Sequence, residues 1–263
     1  MKAVVVYEKG KYEVRDAPMP RLNDGDVLIK INYAALCYRD QLQLAGYYPR
    51  MKYPVILGHE AVGVVVESRD PRFKPGDRVV PLLHEPDGVC EFCVRGLDSY
   101  CVNAHSYGED VDGFFAEYAR VSGNALVKVP SGVPDELAAF TPCVVAMVYK
   151  GLRRADLVSG ETIVVTGASG GVGIHAVQLA KALGARVIAV TRSPEKARFI
   201  RQFADEVVTE AKFSKVVKDL TNGVGADIVI EAVGTPTLEE SLRSLRSGGR
   251  VVIIGNVNPD ETY

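Results

Sequence analysis

The sequence predicts two domains of different class: an all-β, barrel-like domain over residues 1–149, and an α/β domain with a doubly wound parallel sheet over residues 150–263. In the first half, short strands are broken by glycine and proline. From about residue 135 longer helical patterns appear, and from Glu161 onward strands alternate with helices, as in a parallel sheet. The 263 residues exceed one typical domain, and a hydrophobic share of 47% supplies two ordinary cores.

The predicted strands follow this division. In the first domain they are Lys2–Tyr7, Asp26–Tyr33, Ala61–Glu67, Asp77–Leu82 and Phe115–Val121. In the second they are Ile163–Thr166, Arg186–Val190, Ala226–Gly234 and Gly249–Gly255. A helix after the first of these last four strands carries apolar residues along one face, as expected for packing onto a sheet.

The run Asp87-x2-Cys90-x2-Cys93-x7-Cys101 is the most specific motif of the chain. Three thiolates close in sequence, with a carboxylate, make a closed tetrahedral zinc cage that folds a loop and has no open position for chemistry. A structural zinc site is therefore predicted, with Asp87 as the fourth ligand. Glu85, Glu91, His84 and His105 are alternative fourth ligands.

Cys37, His59 and Cys143 are far apart in sequence, which is typical of a catalytic zinc held by two thiolates and an imidazole with an open fourth position. Asp40 is predicted to accept a hydrogen bond from the free ring nitrogen of His59, and Glu60 to be a labile fourth ligand in the absence of substrate. Taken alone, Cys143 in an apolar stretch is more typical of a buried small hydrophobic residue. Its partners favour a metal ligand.

The loop Gly167-Ala168-Ser169-Gly170-Gly171-Val172-Gly173 follows a β-branched strand and opens a helix, the context required for a phosphate cradle. Gly167 permits a tight turn, Gly170 lets the backbone approach a pyrophosphate, and Gly173 lets the helix pack against the strand. The helix N-terminus offers free N–H groups to the anion. Further coenzyme contacts are predicted after later strands, although their apolar runs also serve sheet burial: Val233, Gly234 and Ile254.

The coenzyme is predicted to be NADP(H). A protein that binds NAD carries an acid after the second strand, whereas this chain has Thr191-Arg192-Ser193. A carboxylate would repel a 2′-phosphate, while hydroxyls and a guanidinium bind one. Lys196 and Arg198 add positive charge, with a solvated helix face as the alternative explanation for both.

Composition excludes several functional classes. A formal net charge of −2 gives no electrostatic reason to expect nucleic acid or anionic membrane partners. There is no run of 18 or more apolar residues, and Glu8 interrupts the apolar N-terminus. Five cysteines at metal spacings argue against a disulfide framework. A cytoplasmic protein acting on a small-molecule substrate is expected, and the scarcity of glutamine favours a thermophile.

Over essentially the whole chain, these residues resemble the zinc-containing medium-chain alcohol dehydrogenases, which join a GroES-like catalytic domain to a Rossmann domain. The matching positions are Cys37 and Asp40, Gly58-His59-Glu60, the lobe 87–101, Cys143 and Gly167–Gly173. The lobe of the family has four cysteines, and Asp87 replaces the first. Residues 36–40, 46–49 and 51–60 look most like archaeal acryloyl-CoA reductases of this family.

The resemblance implies a homodimer or homotetramer associating near strand Gly249–Gly255, and a longer chain whose end returns to the catalytic domain. It also implies a zinc-dependent NADP(H) oxidoreductase that interconverts alcohols with aldehydes or ketones by hydride transfer. The catalytic set would be Cys37, Asp40, His59, Glu60 and Cys143, and Arg39 joins it as a residue particular to this chain.

Arg39 departs from the family, which places a serine or threonine there to relay a proton. A guanidinium is effectively always protonated and is a poor relay. Arg39 suits an enolate or thioester oxyanion, as formed by conjugate hydride addition to an enoyl-CoA. Pairing with Asp40 or Glu60 is the structural alternative. An NADPH-dependent acryloyl-CoA (2-enoyl-CoA) reductase is therefore the second functional hypothesis.

Overall fold

The computed structural model describes residues 1–256, which form two compact units, one ending at Cys143 and one beginning at Val144. The sequence places the boundary between residues 149 and 150. The structure places it earlier because the helix Ala146–Arg154 contributes Val148 and Leu152, both fully buried, to the core of the second unit. Apolar contacts therefore assign this helix to the α/β unit.

The first unit is built from antiparallel strands and short helices. Its strands are β1 (Lys2–Glu8), β2 (Lys11–Asp16), β3 (Asp26–Ala34), β4 (Val55–Ile56), β5 (Ala61–Ser68), β6 (Arg78–Pro81), β7 (His84–Glu85), β8 (His105–Ser106), β9 (Tyr118–Ser122) and β10 (Leu126–Lys128). Its helices are α1 (Tyr38–Leu44) and α2 (Asp135–Ala138). Among the described residues, the sheet orders are β2-β1-β4, β10-β6-β5-β3-β9 and β7-β8.

Continuous burial at the start of two central strands explains the main sheet of this unit. Residues 26 to 29 of β3 are all buried, and Ile29 lies opposite the buried Val65 of β5, whereas Lys30 is exposed. The predicted all-β, GroES-like domain is thus confirmed. The strand predicted from Phe115 begins three residues later, at Tyr118, because the Phe115 N–H donates to the carbonyl of Leu57 instead.

The second unit is an α/β unit. Its strands are β11 (Thr162–Val165), β12 (Arg186–Val190), β13 (Glu206–Val208), β14 (Ala226–Glu231) and β15 (Leu245–Ile253). Its helices are α3 (Ala146–Arg154), α4 (Gly171–Ala182), α5 (Pro194–Ile200), α6 (Phe213–Leu220) and α7 (Thr235–Ser244). The described strands are parallel in the order β13-β12-β11-β14-β15.

Helices cover both faces of this sheet. Residues of α3 and α4 pack on one face, and Phe213 and Val217 of α6 pack on the other. The predicted doubly wound Rossmann fold is confirmed. β15 begins at Leu245 rather than Gly249, and β13 is too short to give a sequence pattern. None of the helices in the described part of the chain combines the length and apolarity required to cross a bilayer.

Candidate active site

The first unit brings together four residues that are distant in sequence. Cys37 precedes α1, His59 and Glu60 join β4 to β5, and Cys143 lies in the wide helical turn Thr141–Val145. One ligand atom from each of the four lies within 4.8 Å of the others. We call this set the open cluster. The sequence-predicted residues Cys37, His59, Glu60 and Cys143 therefore share one place in the fold.

Gly58 explains how the chain delivers His59 and Glu60 to this cluster. Its φ of 97° is a conformation that glycine adopts readily, and a Cβ at this position would lie 2.5 Å from the ring of Phe115. The turn therefore needs glycine. It carries His59 and Glu60 into the interior, where their exposed fractions are 0% and 2%.

Asp40 orients His59. Its Oδ1 lies 2.9 Å from Nδ1 of His59, and its Oδ2 accepts the backbone N–H of Cys37 at 2.8 Å. When Nδ1 donates to this carboxylate, the lone pair of Nε2 remains for a metal. Within the described residues, buried Nε2 of His59 and buried Oε1 of Glu60 have no hydrogen-bond partner. A buried ring nitrogen and a buried carboxylate oxygen without partners, beside two cysteines, fit a zinc ion well.

The electrostatics of the open cluster prepare one thiol for a metal, whereas His59 and Cys143 must give up a proton to bind one. A hydrogen bond from Cys143 and the nearby His59 lower the pKa of Cys37 to about 4, although burial opposes the shift. Burial lowers the pKa of His59, but Asp40 and Cys37 outweigh it and raise that pKa to about 9. Burial raises the pKa of Glu60 to about 7, and the pKa of Cys143 rises because its thiol bonds to Cys37. One thiolate is thus already formed near neutral pH.

A second cluster contains Asp87, Cys90, Cys93 and Cys101, whose ligand atoms also lie within 4.8 Å of one another. We call it the closed cluster. The sulfur atoms of Cys90 and Cys93 are 3.5 Å apart. Zinc–sulfur bonds of about 2.3 Å require about 3.8 Å between tetrahedral sulfurs, so the spacing fits a zinc ion. Oδ1 of Asp87 accepts the Cys90 N–H, which with other donors holds the pKa of this carboxyl well below its usual range.

The alternative fourth ligands have other contacts. Glu85 binds Arg120 at 2.9 Å, and His84 lies 3.0 Å from the Ser106 hydroxyl. His105 lies 2.9 Å from Asp110. Glu91 is outside the cluster, so Asp87 is the carboxylate that the structure brings to the three thiols.

The sequence offers a structural role for Arg39 as the ion-pair partner of Asp40 or Glu60. That prediction is wrong about the partner, because Arg39 pairs with neither residue. Nη2 of Arg39 donates to Oε2 of Glu109 at 2.6 Å. Both oxygens of Asp40 are already engaged, while Glu60 belongs to the open cluster. Glu109 is a single acid 70 residues away. No sequence signal marks it.

The glycine loop of the second unit joins β11 to α4. A Cβ at Gly173 would lie 2.2 Å from the carbonyl oxygen of Gly167, so the first turn of the helix packs directly on the loop. A Cβ at Gly171 would have no neighbour within 4 Å, and one at Gly170 would contact the Gly167 oxygen at 3.4 Å. Gly170 begins the helix without a side-chain cap. The loop is thus open to an anion at a helix N-terminus, which fits a coenzyme pyrophosphate.

The residues predicted to bind the 2′-phosphate differ in accessibility. Thr191 is buried, and its hydroxyl lies 3.0 Å from that of Ser169. The Ser193 hydroxyl accepts the N–H of Lys196 at 3.2 Å and caps α5. The side chains of Arg192, Lys196 and Arg198 are exposed. Of the stretch 191–193, Arg192 is thus the residue presented to solvent.

Val233 and Gly234 follow β14, and sequence patterns do not reveal what holds them. Glu231, fully buried, accepts the N–H groups of Val233 at 2.8 Å and Gly234 at 2.9 Å. The hydroxyls of Thr166, Thr237 and Ser241 also donate to this carboxylate. A carboxylate that ends an apolar strand is the available sequence signal, since such groups are rarely buried without partners. Ile254 packs against the core of the unit.

Val172 of the predicted loop also packs against that core. Val233 lies against the glycine loop, because a Cβ at Gly167 would be 2.9 Å from Cγ2 of Val233. The turn after β14 and the glycine loop are therefore in direct contact.

Comparison with known proteins gives consistent matches across both units. The family model described as alcohol dehydrogenase GroES-like domain matches residues 23–131, and that described as zinc-binding dehydrogenase matches residues 171–263. The acryloyl-coenzyme A reductase of Metallosphaera sedula is 54% identical, over all of this chain and 79% of its own length. That of Sulfurisphaera tokodaii is 53% identical with the same coverage. An alcohol dehydrogenase of Geobacillus stearothermophilus is 35% identical over 99% of this chain and 79% of its own length.

Solved structures agree. Alcohol dehydrogenase TADH from Thermus sp. ATN1 superposes with a TM-score of 0.90 at 32% identity, covering 98% of this chain and 78% of that one. A zinc-binding dehydrogenase from Sinorhizobium meliloti 1021, solved with bound NADP, gives a TM-score of 0.90 at 31% identity, with coverage of 99% and 78%.

Proposed function

Because the chain belongs to the zinc-containing medium-chain alcohol dehydrogenase family, we propose that it is an NADPH-dependent reductase of 2-enoyl-CoA thioesters, acryloyl-CoA first among them. The observation that carries this proposal is the 54% identity, over the whole chain, to a protein named acryloyl-coenzyme A reductase. The alcohol dehydrogenase from Geobacillus stearothermophilus is much less similar, at 35%.

The open cluster favours a second candidate, a zinc-dependent alcohol dehydrogenase or carbonyl reductase. Two cysteines and a histidine with an exchangeable fourth position suit a Lewis-acid zinc that polarises a carbonyl. Arg39 counts against this candidate, because it stands where an alcohol dehydrogenase needs a hydroxyl to relay a proton. The enoyl-CoA reaction has no such requirement at that position.

The residues have separate tasks in the proposed reaction. Cys37, His59 and Cys143 would hold the zinc of the open cluster, and the closed cluster would hold the structural zinc. Asp40 keeps His59 in the tautomer that can bind a metal. The glycine loop would bind the pyrophosphate of NADPH, and Arg192 its 2′-phosphate.

We also propose that the protein is cytoplasmic and forms a homodimer or homotetramer. Free cysteines gathered at metal spacings suit a reducing compartment. Among the described strands, β15 lies at an edge of the parallel sheet, where a second copy can pair.

The test is NADPH oxidation by the purified protein with acryloyl-CoA, a simple aldehyde and an aromatic ketone, each before and after zinc chelation. Turnover of acryloyl-CoA well above that of the other two supports the proposal. Efficient, zinc-dependent turnover of the aldehyde or ketone, without turnover of acryloyl-CoA, would establish the second candidate instead. Replacing NADPH by NADH tests the coenzyme assignment in the same assay.

A further inference from the structure

The guanidinium of Arg39 is held at two points. Its Nη2 donates to Oε2 of Glu109 at 2.6 Å, and its Cζ lies 4.7 Å from the centroid of the Tyr48 ring. The side chains of Arg39 and Glu109 are only 17% and 6% exposed. A planar cation with a carboxylate at one edge and an aromatic ring on one face has little freedom left. Arg39 is therefore a preorganised donor rather than a mobile surface cation.

One buried N–H group of the Arg39 guanidinium lacks an acceptor among the described residues. A guanidinium carries five N–H donors, and Glu109 is bonded through Nη2. Nε of Arg39 is buried, yet it has no hydrogen-bond partner within residues 1–256. Buried donors in native proteins nearly always have an acceptor. An oxygen atom of a bound molecule is the partner that this N–H group suits.

Arg39 also lies at the open cluster. It stands on α1 between Cys37 and Asp40, and its backbone N–H donates to the sulfur of Cys37. Glu109 balances its charge, so that the buried pair adds no net charge beside the cluster. The pair thus fixes a guanidinium on the helix that begins beside Cys37 of the open cluster.

The geometry points to Arg39 as the group that binds the thioester carbonyl oxygen of a 2-enoyl-CoA and stabilises the enolate, with Glu109 and Tyr48 as its positioning residues. This role rests on the proposed function. Hydride from NADPH forms a bond to C3, the C2–C3 π electrons shift to form a C1–C2 double bond, and the carbonyl π electrons move onto oxygen. C2 then takes a proton from water as the carbonyl re-forms. One hydride and one proton are gained, and NADPH becomes NADP⁺.

Arg39→Ala and Glu109→Gln test this role, with Arg243→Ala as the matched control because Arg243 forms an exposed pair with Glu239. The readouts are kcat and KM for acryloyl-CoA, the Kd of NADPH, bound zinc and the melting temperature. Arg39→Ala is expected to lower kcat by about 10²- to 10³-fold, as loss of an oxyanion donor does, and free guanidinium should restore part of it. Glu109→Gln should lower kcat by about tenfold at unchanged NADPH affinity, and Glu109→Asp should recover part of the loss.

The outcomes separate this inference from the proposed function. If the wild-type protein does not oxidise NADPH with acryloyl-CoA, the proposed function fails, and the role of Arg39 fails with it. If the wild type turns over acryloyl-CoA while Arg39→Ala keeps its kcat, only the role of Arg39 is overturned. Should Arg39→Ala not fold, Arg39→Lys replaces it. A lysine cannot bind Glu109 and present a planar donor together, so full kcat in that variant overturns the inference.

Discussion

Replacing Glu231 by glutamine tests whether the buried carboxylate holds the coenzyme-binding end of the second unit. The side chain is fully buried and accepts hydrogen bonds from two backbone N–H groups and three hydroxyls, all neutral donors. No arginine or lysine within the described residues forms an ion pair with it. Its charge is therefore stabilised by hydrogen bonds and by the N-terminus of α7, which begins at Thr235.

The expected loss follows from these contacts. A hydrogen bond to a charged group contributes about 1.5–3 kcal/mol and a neutral one about 0.5–1.5 kcal/mol, so each donor weakens by about 1 kcal/mol in Glu231→Gln. The amide also places an N–H₂ group where one carboxylate oxygen stood. Because the other hydrogen bonds rearrange in part, the free energy of unfolding should fall by about 2–4 kcal/mol. That is a factor of about 30 to 1,000 in the folded-to-unfolded ratio.

Urea denaturation followed by far-ultraviolet circular dichroism measures this loss, since α3 to α7 all belong to the second unit. Glu239→Gln on α7 is the matched control: its side chain is 76% exposed, and a surface pair with Arg243 contributes about 0.5 kcal/mol. NADPH binding should weaken in Glu231→Gln, because the N–H groups of Val233 and Gly234 lose their acceptor, while bound zinc stays unchanged. Equal stability of the two variants would refute the reasoning.

Three further outcomes are expected. Arg192→Ala should raise the KM for NADPH by about 10- to 100-fold, as loss of a charged hydrogen bond does, and leave the KM for NADH unchanged. An equal change in KM for both coenzymes would contradict this. In zinc-free protein, the alkylation rate of Cys37 should be nearly independent of pH between about 6 and 8 because its pKa is about 4, whereas ordinary thiols react about tenfold faster per pH unit. Added zinc should slow the alkylation. A steep pH dependence of the rate would count against a thiolate at Cys37. Hydrogen bonds from Asn32 and Arg78 hold the pKa of Asp135 below its usual value. The stabilisation from Asp135 is therefore present above the pKa of the unfolded state and is lost as the pH falls through the pKa of the folded state. Asp135→Asn should lower the free energy of unfolding by about 0.5 kcal/mol near neutral pH and leave it unchanged in strong acid, as measured by urea unfolding at each pH.

Local patterns explain why most of the site can be predicted from sequence. The closed cluster and the glycine loop are contiguous motifs, so their geometry is encoded within 15 residues or fewer. Cys37, His59 and Cys143 are distant in sequence, yet the three types of residue suffice to suggest a shared zinc. The fold class follows from the change of hydrophobic period between the two halves.

Contacts between single residues on distant segments could not be predicted in this way. Glu109 reaches Arg39 across 70 positions, and Thr166 reaches Glu231 across 65. Neither pair has a spacing rule, because each depends on how separate strands and loops are placed in three dimensions. The division of the units at Cys143 is hard to predict for a related reason: the helical pattern of residues 146–154 does not show which core its apolar side packs against.

The open and closed clusters use similar ligand atoms, but their carboxylates differ in the hydrogen bonds that they accept. Asp87 is fixed by the N–H of Cys90 and by Asn103, whose amide donates at 2.6 Å, and its low pKa keeps it charged. Oε1 of Glu60 has no donor among the described residues, and burial raises the pKa of Glu60 to about 7. A charged, anchored carboxylate is a permanent ligand, whereas one that is costly to ionise, and whose polar neighbours are the other cluster members His59 and Cys143, is readily displaced. These contacts favour a closed structural site at Asp87 and, at Glu60, a ligand that gives way when a substrate oxygen arrives.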